Sequence, residues 1–445
     1  MHPPNARKSK ENAFTPQQAR VEAERCLQCF DAPCIQACPA RIDIPSFIAM
    51  IRSGNLRGAA EVVKTSNPLA NVCGSVCPEE IYCQPACNRG RDDAPISIRE
   101  LHAFVTEREA RLGYSPVLEP VRQEGQVAVV GGGPAGLSCA FQLTRLGYRV
   151  TILDDQRVGG VPGKSIPSFR LPQRVLADDL KFLSPLFVLK KERVSASRLD
   201  DLRREYGAVF LGIGLGEDRR LLIKGERLKG VVPVLRFLEA ARSGRPRVGR
   251  HVIVVGGGNV SLDAAATAMR LGARDVTVVY RRGEREMKVW KSELREARAQ
   301  GVGIRFLTNP VQIIGRSRVT GLKCRRMLLS QKKDESGRQI PVEVRGSEVV
   351  LDADMVIVAV GQVIRSDLAG RFALTGKGFI RVNRSFRTSV PGVFAGGDAT
   401  SGEGTIVQSV AHGKAAARAI HEFMQRRPKR ESGEWMPLEG KAYDS

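Results

Sequence analysis

Eight of the ten cysteines in this 445-residue chain lie between Cys26 and Cys87, in two runs. The first is Cys26, Cys29, Cys34 and Cys38, with Pro39 next. The second is Cys73, Cys77, Cys83 and Cys87, with Pro78 after Cys77. The opening residues, MHPPNARKSK, are basic and lack the apolar stretch of a secretory signal, so the expected compartment is the cytoplasm. There thiols stay reduced, and thiols this dense point to metal rather than disulfides. Zinc modules usually carry paired CxxC knuckles, and here only Cys26 and Cys29 have that spacing. Helical patterns at 16–27, behind a Thr15 cap, and at 96–111, with little strand signal, predict a small helical domain over 1–122 held by its metals.

Beyond a polar connector at 114–126 the pattern changes. Residue 127 opens a strand–glycine turn–helix–strand unit: VAVV, a helix to about Leu146, then RVTILD ending at Asp154. A second unit starts at His251 with HVIVV, a helix to about Leu271, and DVTVVY at 275–280. Two such starts suggest related domains, one inserted in the other. The expected fold class is α/β, with two Rossmann-like dinucleotide-binding domains behind the α-helical domain. The boundaries read 123–247 with 363–426 for the first module, 248–362 for the second, and a frayed tail at 427–445.

In VVGGGPAG, Gly131, Gly133 and Gly136 form GxGxxG, with Pro134 and Ala135 opening the helix. Gly131 permits the tight turn, Gly133 lets backbone approach a pyrophosphate, and Gly136 lets the helix pack closely. Asp154, 18 residues past Gly136, is placed to hold a ribose hydroxyl pair. In VVGGGNVSLD, Gly256, Gly258, Asn259 and Val260 precede Ser261, a small residue where a third glycine might stand. No carboxylate ends the next strand. Tyr280 is followed by Arg281 and Arg282, and Lys288 lies seven residues beyond Arg281. Arginines can hold a 2′-phosphate that an acid would repel, so NADP(H) is preferred to NAD(H). The alternative is a solvated arginine pair. Gly361 closes the strand DMVIVAVG.

The net charge of +23 sits almost wholly beyond residue 122, because residues 1–122 carry 15 Lys and Arg against 14 Asp and Glu. An arginine-rich solvated surface accounts for it; attraction of anionic nucleotides and an acidic redox partner is the functional reading. Aromatic residues are 5% of the chain and no nucleic-acid-binding motif occurs, so nucleic acid is not an expected partner. No apolar run approaches the ~18 residues that would span a bilayer, so no membrane insertion is expected.

The strings ERCLQCFDAPCIQACPA, NPLANVCGSVCPEEIYCQPAC, IPSFRLP, YRRGEREM and FAGGD resemble the glutamate synthase small-subunit family and its dihydropyrimidine dehydrogenase flavin-subunit branch. That resemblance implies FAD in the first module, with Arg170, Gly397 and Asp398 at its site, NAD(P)H in the second, and two 4Fe–4S clusters. By position, the first cluster would take Cys26, Cys29, Cys34 and Cys87. The second would take Cys38, Cys77 and Cys83 with a fourth ligand that the family supplies as Glu or Gln. His102 stands there, and imidazole can replace a thiolate on cluster iron; Cys73 is the competing candidate. MetLys at 287–288, where many members have MetPro, is a further departure. Electrons would enter as hydride and leave singly, with no catalytic acid, base or nucleophile required. His412 could sit near the flavin, although a core or surface histidine is the plainer reading. Cys139 and Cys324 stand alone, which disfavours a disulfide relay. The expected function is an electron-transfer oxidoreductase subunit serving a larger catalytic or electron-accepting subunit or a ferredoxin. The alternatives are a stand-alone diaphorase and a cluster-holding assembly subunit without turnover.

Overall fold

The computed structural model describes residues 14–113, 122–244 and 246–426. The tail expected over 427–445 and most of the 114–126 connector lie outside the described residues. Backbone contacts divide the chain into two compact units. One holds the described residues up to Gly163, Ser168–Gly216 and those from Ile364 onward; the other holds Lys164–Pro167 and Glu217–Val363.

In the first unit, residues 14–113 contain helices and no strand. Three of its helices start where a short polar side chain satisfies a free backbone N–H. Thr15 caps Pro16–Glu24 in a reciprocal capping box with Gln18, Asp43 caps Ile44–Arg52, and Asn55 caps Leu56–Ser66. The first helix stops at Glu24 rather than continuing to residue 27. Arg25 ends it, and its guanidinium reaches Glu22 and Asp93. The helix Ile98–Leu112 packs against Leu56–Ser66 and Ala70–Val76 and ends at Gly113, whose φ of 70° suits a left-handed C-cap.

The rest of this unit is a five-stranded parallel sheet in the order Val393–Ala395, Ala208–Leu211, Gln126–Val130, Arg149–Asp154, Val188–Lys191. The hydrophobic strands pair in register, Val127 with Val150 and Val130 with Leu153. The helices Pro134–Arg145 and Ile406–Arg426 pack tightly together. Gly413 makes that possible, since a Cβ there would lie 2.2 Å from the Ala135 carbonyl oxygen.

The second unit has its own five-stranded parallel sheet: Val231–Pro233, Met355–Ala359, His251–Gly256, Asp275–Val279, Gly303–Arg305. An antiparallel sheet built on the long strand Val319–Lys333 joins it. The sequence pattern does not anticipate this second sheet. Its strands expose Leu328, Val342, Val349 and Val350, so they lack the clean in–out alternation that marks a half-buried strand. Among the described residues, no helix is long and apolar enough to cross a membrane.

Candidate functional site

The eight clustered cysteines separate into two groups. All are free thiols. Burial pushes Cys26 up from the ordinary thiol range, and the neighbouring Cys87 and Cys29 push it further. Cys34 is pushed up to about 12, again by burial first and then by Cys87 and Cys26. These four are coupled electrostatically through Cys26 and Cys87, and Asn88 Nδ2 donates to Cys29 Sγ at 3.5 Å. Burial raises Cys77, with Cys73 and then Cys38 adding to the rise, and it raises Cys83, with Cys77, Glu79 and then Cys38 adding. It pushes Cys73 up to about 12 against a hydrogen bond from Asn67, with Asp179 and Cys38 adding to the rise. The second group is therefore Cys38, Cys77 and Cys83 with Cys73 alongside.

Thiols so placed ionise at a high cost unless a positive centre sits among them, which is the charge that cluster iron supplies. No three His, Cys, Asp or Glu side chains among the described residues gather tightly enough to clasp a single metal ion. The first group is partly exposed, whereas Cys38, Cys73 and Cys83 are buried.

His102 is buried, and burial lowers its pKa to about 4 against the opposing hydrogen bond to the Ala70 carbonyl. Its Nε2 is buried without a partner. Nδ1 therefore makes the Ala70 bond, and the neutral ring presents a free lone pair. This is how ligating histidines are commonly oriented. Arg99, one turn earlier, donates to the Cys77 carbonyl at 3.3 Å. The residues present fit 4Fe–4S clusters.

The first glycine turn has the geometry expected of a dinucleotide cradle. Gly131 has φ 96°, and a Cβ there would lie 2.6 Å from the Gly212 carbonyl oxygen. At Gly136 it would lie 1.9 Å from the Gly131 carbonyl oxygen. At Gly133 nothing stands nearer than 3.8 Å, so that face is open to a ligand. Pro134 and Ala135 open the helix beyond it. Asp154 accepts from Gly132 N at 2.7 Å and from Gln156 N at 2.8 Å, fixing the strand end against the turn. Arg170 lies half-buried after Ser168.

Gly397 (φ 73°) leads into the half-buried Asp398, whose pKa its partial burial raises to about 6 against a hydrogen bond from Ser409. His412 Nδ1 accepts from Gly397 N at 3.2 Å, and its ring stacks near Phe386. It braces the FAGGD turn, a supporting role that the sequence left open.

In the second unit Gly256 ends a strand, and Gly258 caps the helix Asn259–Arg270, in which Val260 follows Asn259. Ser261 is buried and donates to the Gly258 carbonyl, a use for a hydroxyl where a third glycine is absent. Asn259 Oδ1 accepts from Trp290 N, and Lys288 N donates to the Gly257 carbonyl at 3.1 Å. Lys288 thus belongs to the glycine turn itself. The two arginines diverge. Arg282 is buried and committed, pairing with Asp334 at 2.8 Å and donating to the Gln339 carbonyl. Arg281 is exposed. Gly361 has φ 105° and its carbonyl accepts from Arg219 N. Cys139 and Cys324 are both buried thiols in separate units.

Sequence reasoning missed several residues that tie the thiol-rich helices to the flavin-type sheet. Asp179 accepts from Asn71 N, Asn71 Nδ2 and Val72 N at 2.9–3.1 Å. Tyr82 OH meets Thr405 Oγ1 at 2.9 Å, and Lys414 reaches the Ala40 carbonyl. Their partners lie more than a hundred residues away, so no local signal exists for them.

Two Rossmann-like sheets, each with a glycine turn at a helix start, together with a helical segment carrying two thiol groups, define a dinucleotide-dependent electron-transfer oxidoreductase. Residues 125–417 match the pyridine nucleotide-disulphide oxidoreductase family, and residues 5–114 match domain II of dihydropyrimidine dehydrogenase, a 4Fe–4S cluster domain. The chain belongs to this family, in its iron–sulfur branch. It is an NAD(P)H-dependent oxidoreductase with FAD and 4Fe–4S clusters as its cofactors. Among its relatives are the NADP(+)-dependent formate dehydrogenase subunit beta of Moorella thermoacetica, 39% identical over 88% of this chain and 60% of that protein, and the glutamate synthase (NADPH) small chain of Escherichia coli K12, 32% identical over 93% of each. The NAD-dependent dihydropyrimidine dehydrogenase subunit PreT homolog of Salmonella typhi is 36% identical over 93% of this chain and 96% of its own. The chain thus spans under two thirds of the Moorella relative. The Mycobacterium tuberculosis FprA structure shares the fold, with TM-score 0.58 and 20% identity over 68% of this chain and 85% of that one.

Proposed function

We propose that this chain is the subunit through which electrons pass between NAD(P)H and a separate catalytic or electron-accepting protein, by way of FAD and two 4Fe–4S clusters. The observation that carries this reading is the sorting of the eight thiols into two groups within the same unit as a flavin-type glycine turn. Three relatives are themselves named as subunits or a small chain of larger enzymes. The working compartment is the cytoplasm, where such thiols stay reduced.

When bound, the nicotinamide supplies hydride and the flavin and clusters divide its two electrons into single transfers. The chain's own residues bind and orient. Gly131, Gly133 and Gly136 shape the FAD pyrophosphate turn, and Asp154, Arg170 and Asp398 fix the rest of that cofactor. Gly256, Gly258, Asn259, Val260, Ser261 and Gly361 form the nicotinamide nucleotide site. Arg281 and Lys288 face a 2′-phosphate, which favours NADP(H). Arg282 is withdrawn from that role by Asp334. Cys26, Cys29, Cys34 and Cys87 hold the first cluster. Cys38, Cys77 and Cys83 hold the second with His102, whose unpartnered Nε2 favours it over Cys73. The flavin module is best bounded near Gly216 rather than at 247, because the strand Val231–Pro233 pairs in the second sheet, and the nicotinamide module then runs from Glu217 to Val363.

Anaerobic addition of NADPH, and separately NADH, to purified holoprotein tests this reading. It predicts bleaching of the flavin band, faster with NADPH. No bleaching with either nucleotide would refute the reading and favour a cluster-holding assembly subunit. Full-rate dye reduction by a chain that elutes without a partner would favour a stand-alone diaphorase.

A further inference from the structure

The helix Ile406–Arg426 follows the Asp398 turn and reaches the thiol-rich segment within the same unit. Two turns in, Lys414 Nζ donates to the Ala40 carbonyl at 3.0 Å and lies 3.5 Å from the Ser66 carbonyl oxygen. Ala40 is two residues past Cys38, across Pro39. Lys414 is half-buried and makes no ion pair with a carboxylate among the described residues. Burial, Arg418 and Arg145 depress its pKa, and the one group acting the other way is the Cys38 sulfur. A partly desolvated ammonium is costly unless something negative faces it. Beside the two carbonyls, the negative group acting on it among the described residues is Cys38, a proposed cluster ligand.

We infer that Lys414 holds a positive charge against the second cluster and raises its reduction potential. The inference rests on the reading that Cys38, Cys77 and Cys83 ligate that cluster. Reduction adds one electron, delivered from NAD(P)H through the flavin, and no proton, so the cluster gains one unit of negative charge. A fixed cation nearby favours the reduced form, and in a partly buried site the interaction is only weakly screened. Lys414 would thereby set the driving force of the step out of the flavin without touching either reacting group. It is a tuning residue.

The competing account is mechanical. Lys414 could serve only to bind carbonyls at the end of the helix Leu56–Ser66, as Gln142 and Arg145 do at the Thr65 carbonyl. Substitutions separate the two roles. Lys414→Gln keeps a donor and removes the charge, and Lys414→Arg keeps both.

The test is an anaerobic potentiometric titration of the holoprotein followed by electron paramagnetic resonance. The second cluster's signal is assigned by its loss in Cys83→Ser, and iron content is measured throughout. Lys414→Gln is expected to lower the reduced-to-oxidised ratio of that cluster about tenfold at fixed potential. For a one-electron couple this is a shift of about 59 mV. The first cluster and flavin should titrate as in the wild type, and so should all centres in Lys414→Arg. An unshifted second cluster in Lys414→Gln would overturn the inference. So would an equal shift in Lys414→Arg, which would assign the effect to packing. Should the Gln variant lose iron, Lys414→Met is compared with Lys414→Arg in the same way. A wild-type chain holding only one cluster would fail the functional reading itself, and the inference with it.

Discussion

Lys64 and Glu109 form an ion pair whose side chains are 2% and 5% exposed, joining the helices Leu56–Ser66 and Ile98–Leu112. Lys64 Nζ also lies 4.6 Å above the Phe182 ring. Burial raises the Glu109 pKa, and Lys64 acts against that rise. Lys64→Met keeps most of the side-chain volume and leaves Glu109 charged and alone. Breaking such a pair costs on the order of 3–5 kcal/mol. Combining it with Glu109→Leu removes both charges, and the double variant should recover most of that loss. The pH dependence follows from the direction of the remaining shift. Without Lys64, the folded-state pKa of Glu109 rises further above its unfolded value of about 4.3. The stability of Lys64→Met is then greatest where Glu109 is protonated and falls as pH rises through the folded pKa. Its deficit against wild type should therefore be larger at about pH 8 than at about pH 5.5. Anaerobic urea unfolding of the holoprotein, followed by cluster absorbance, measures both effects. Equal losses in the single and double variants, or a deficit independent of pH, would refute the reasoning.

Three further outcomes are expected. Gly413→Ala should destabilise the flavin-type unit by about 1–3 kcal/mol or more through its clash with the Ala135 carbonyl, read as a lower Tm and a lower flavin-to-protein ratio. Arg281→Ala should cut kcat/KM for NADPH about tenfold or more while sparing NADH, as loss of a charge-assisted hydrogen bond would; Arg282→Ala should instead lower stability, because it removes a buried guanidinium that pairs with Asp334 and the Gln339 carbonyl. Tyr82→Phe removes the bond to Thr405, worth about 1 kcal/mol. Stopped-flow should show flavin reduction at the wild-type rate and slower reduction of the clusters.

The parts of the site legible in the sequence are those set by local backbone geometry. A tight turn needs Gly131, and close approach of a helix needs Gly136, so both announce themselves in a window of a few residues. The thiol groups are nearly as legible because metal chemistry limits which residues can serve. What the sequence does not show is decided by distant partners. Whether Arg281 or Arg282 points outward is set by Asp334, some fifty residues later in the antiparallel sheet. Asp179 caps the helix Ala70–Val76 from more than a hundred residues away, and Lys414 reaches back 374 residues to Ala40. A buried lysine such as Lys64 looks in sequence like any surface lysine. Only its pairing with Glu109 makes its burial affordable, and that pairing belongs to the packing of two helices.

The central claim is that the eight thiols hold two clusters that NAD(P)H can reduce. Iron and acid-labile sulfide analysis of the reconstituted chain, joined to electron paramagnetic resonance after rapid freezing with NADPH, tests it most directly. The account predicts about eight irons per chain, with two reduced-cluster signals that appear after the flavin bleaches. In Cys83→Ser only one of those signals should be lost. A chain that binds FAD and oxidises NADPH yet carries zinc or no metal at these thiols would contradict it.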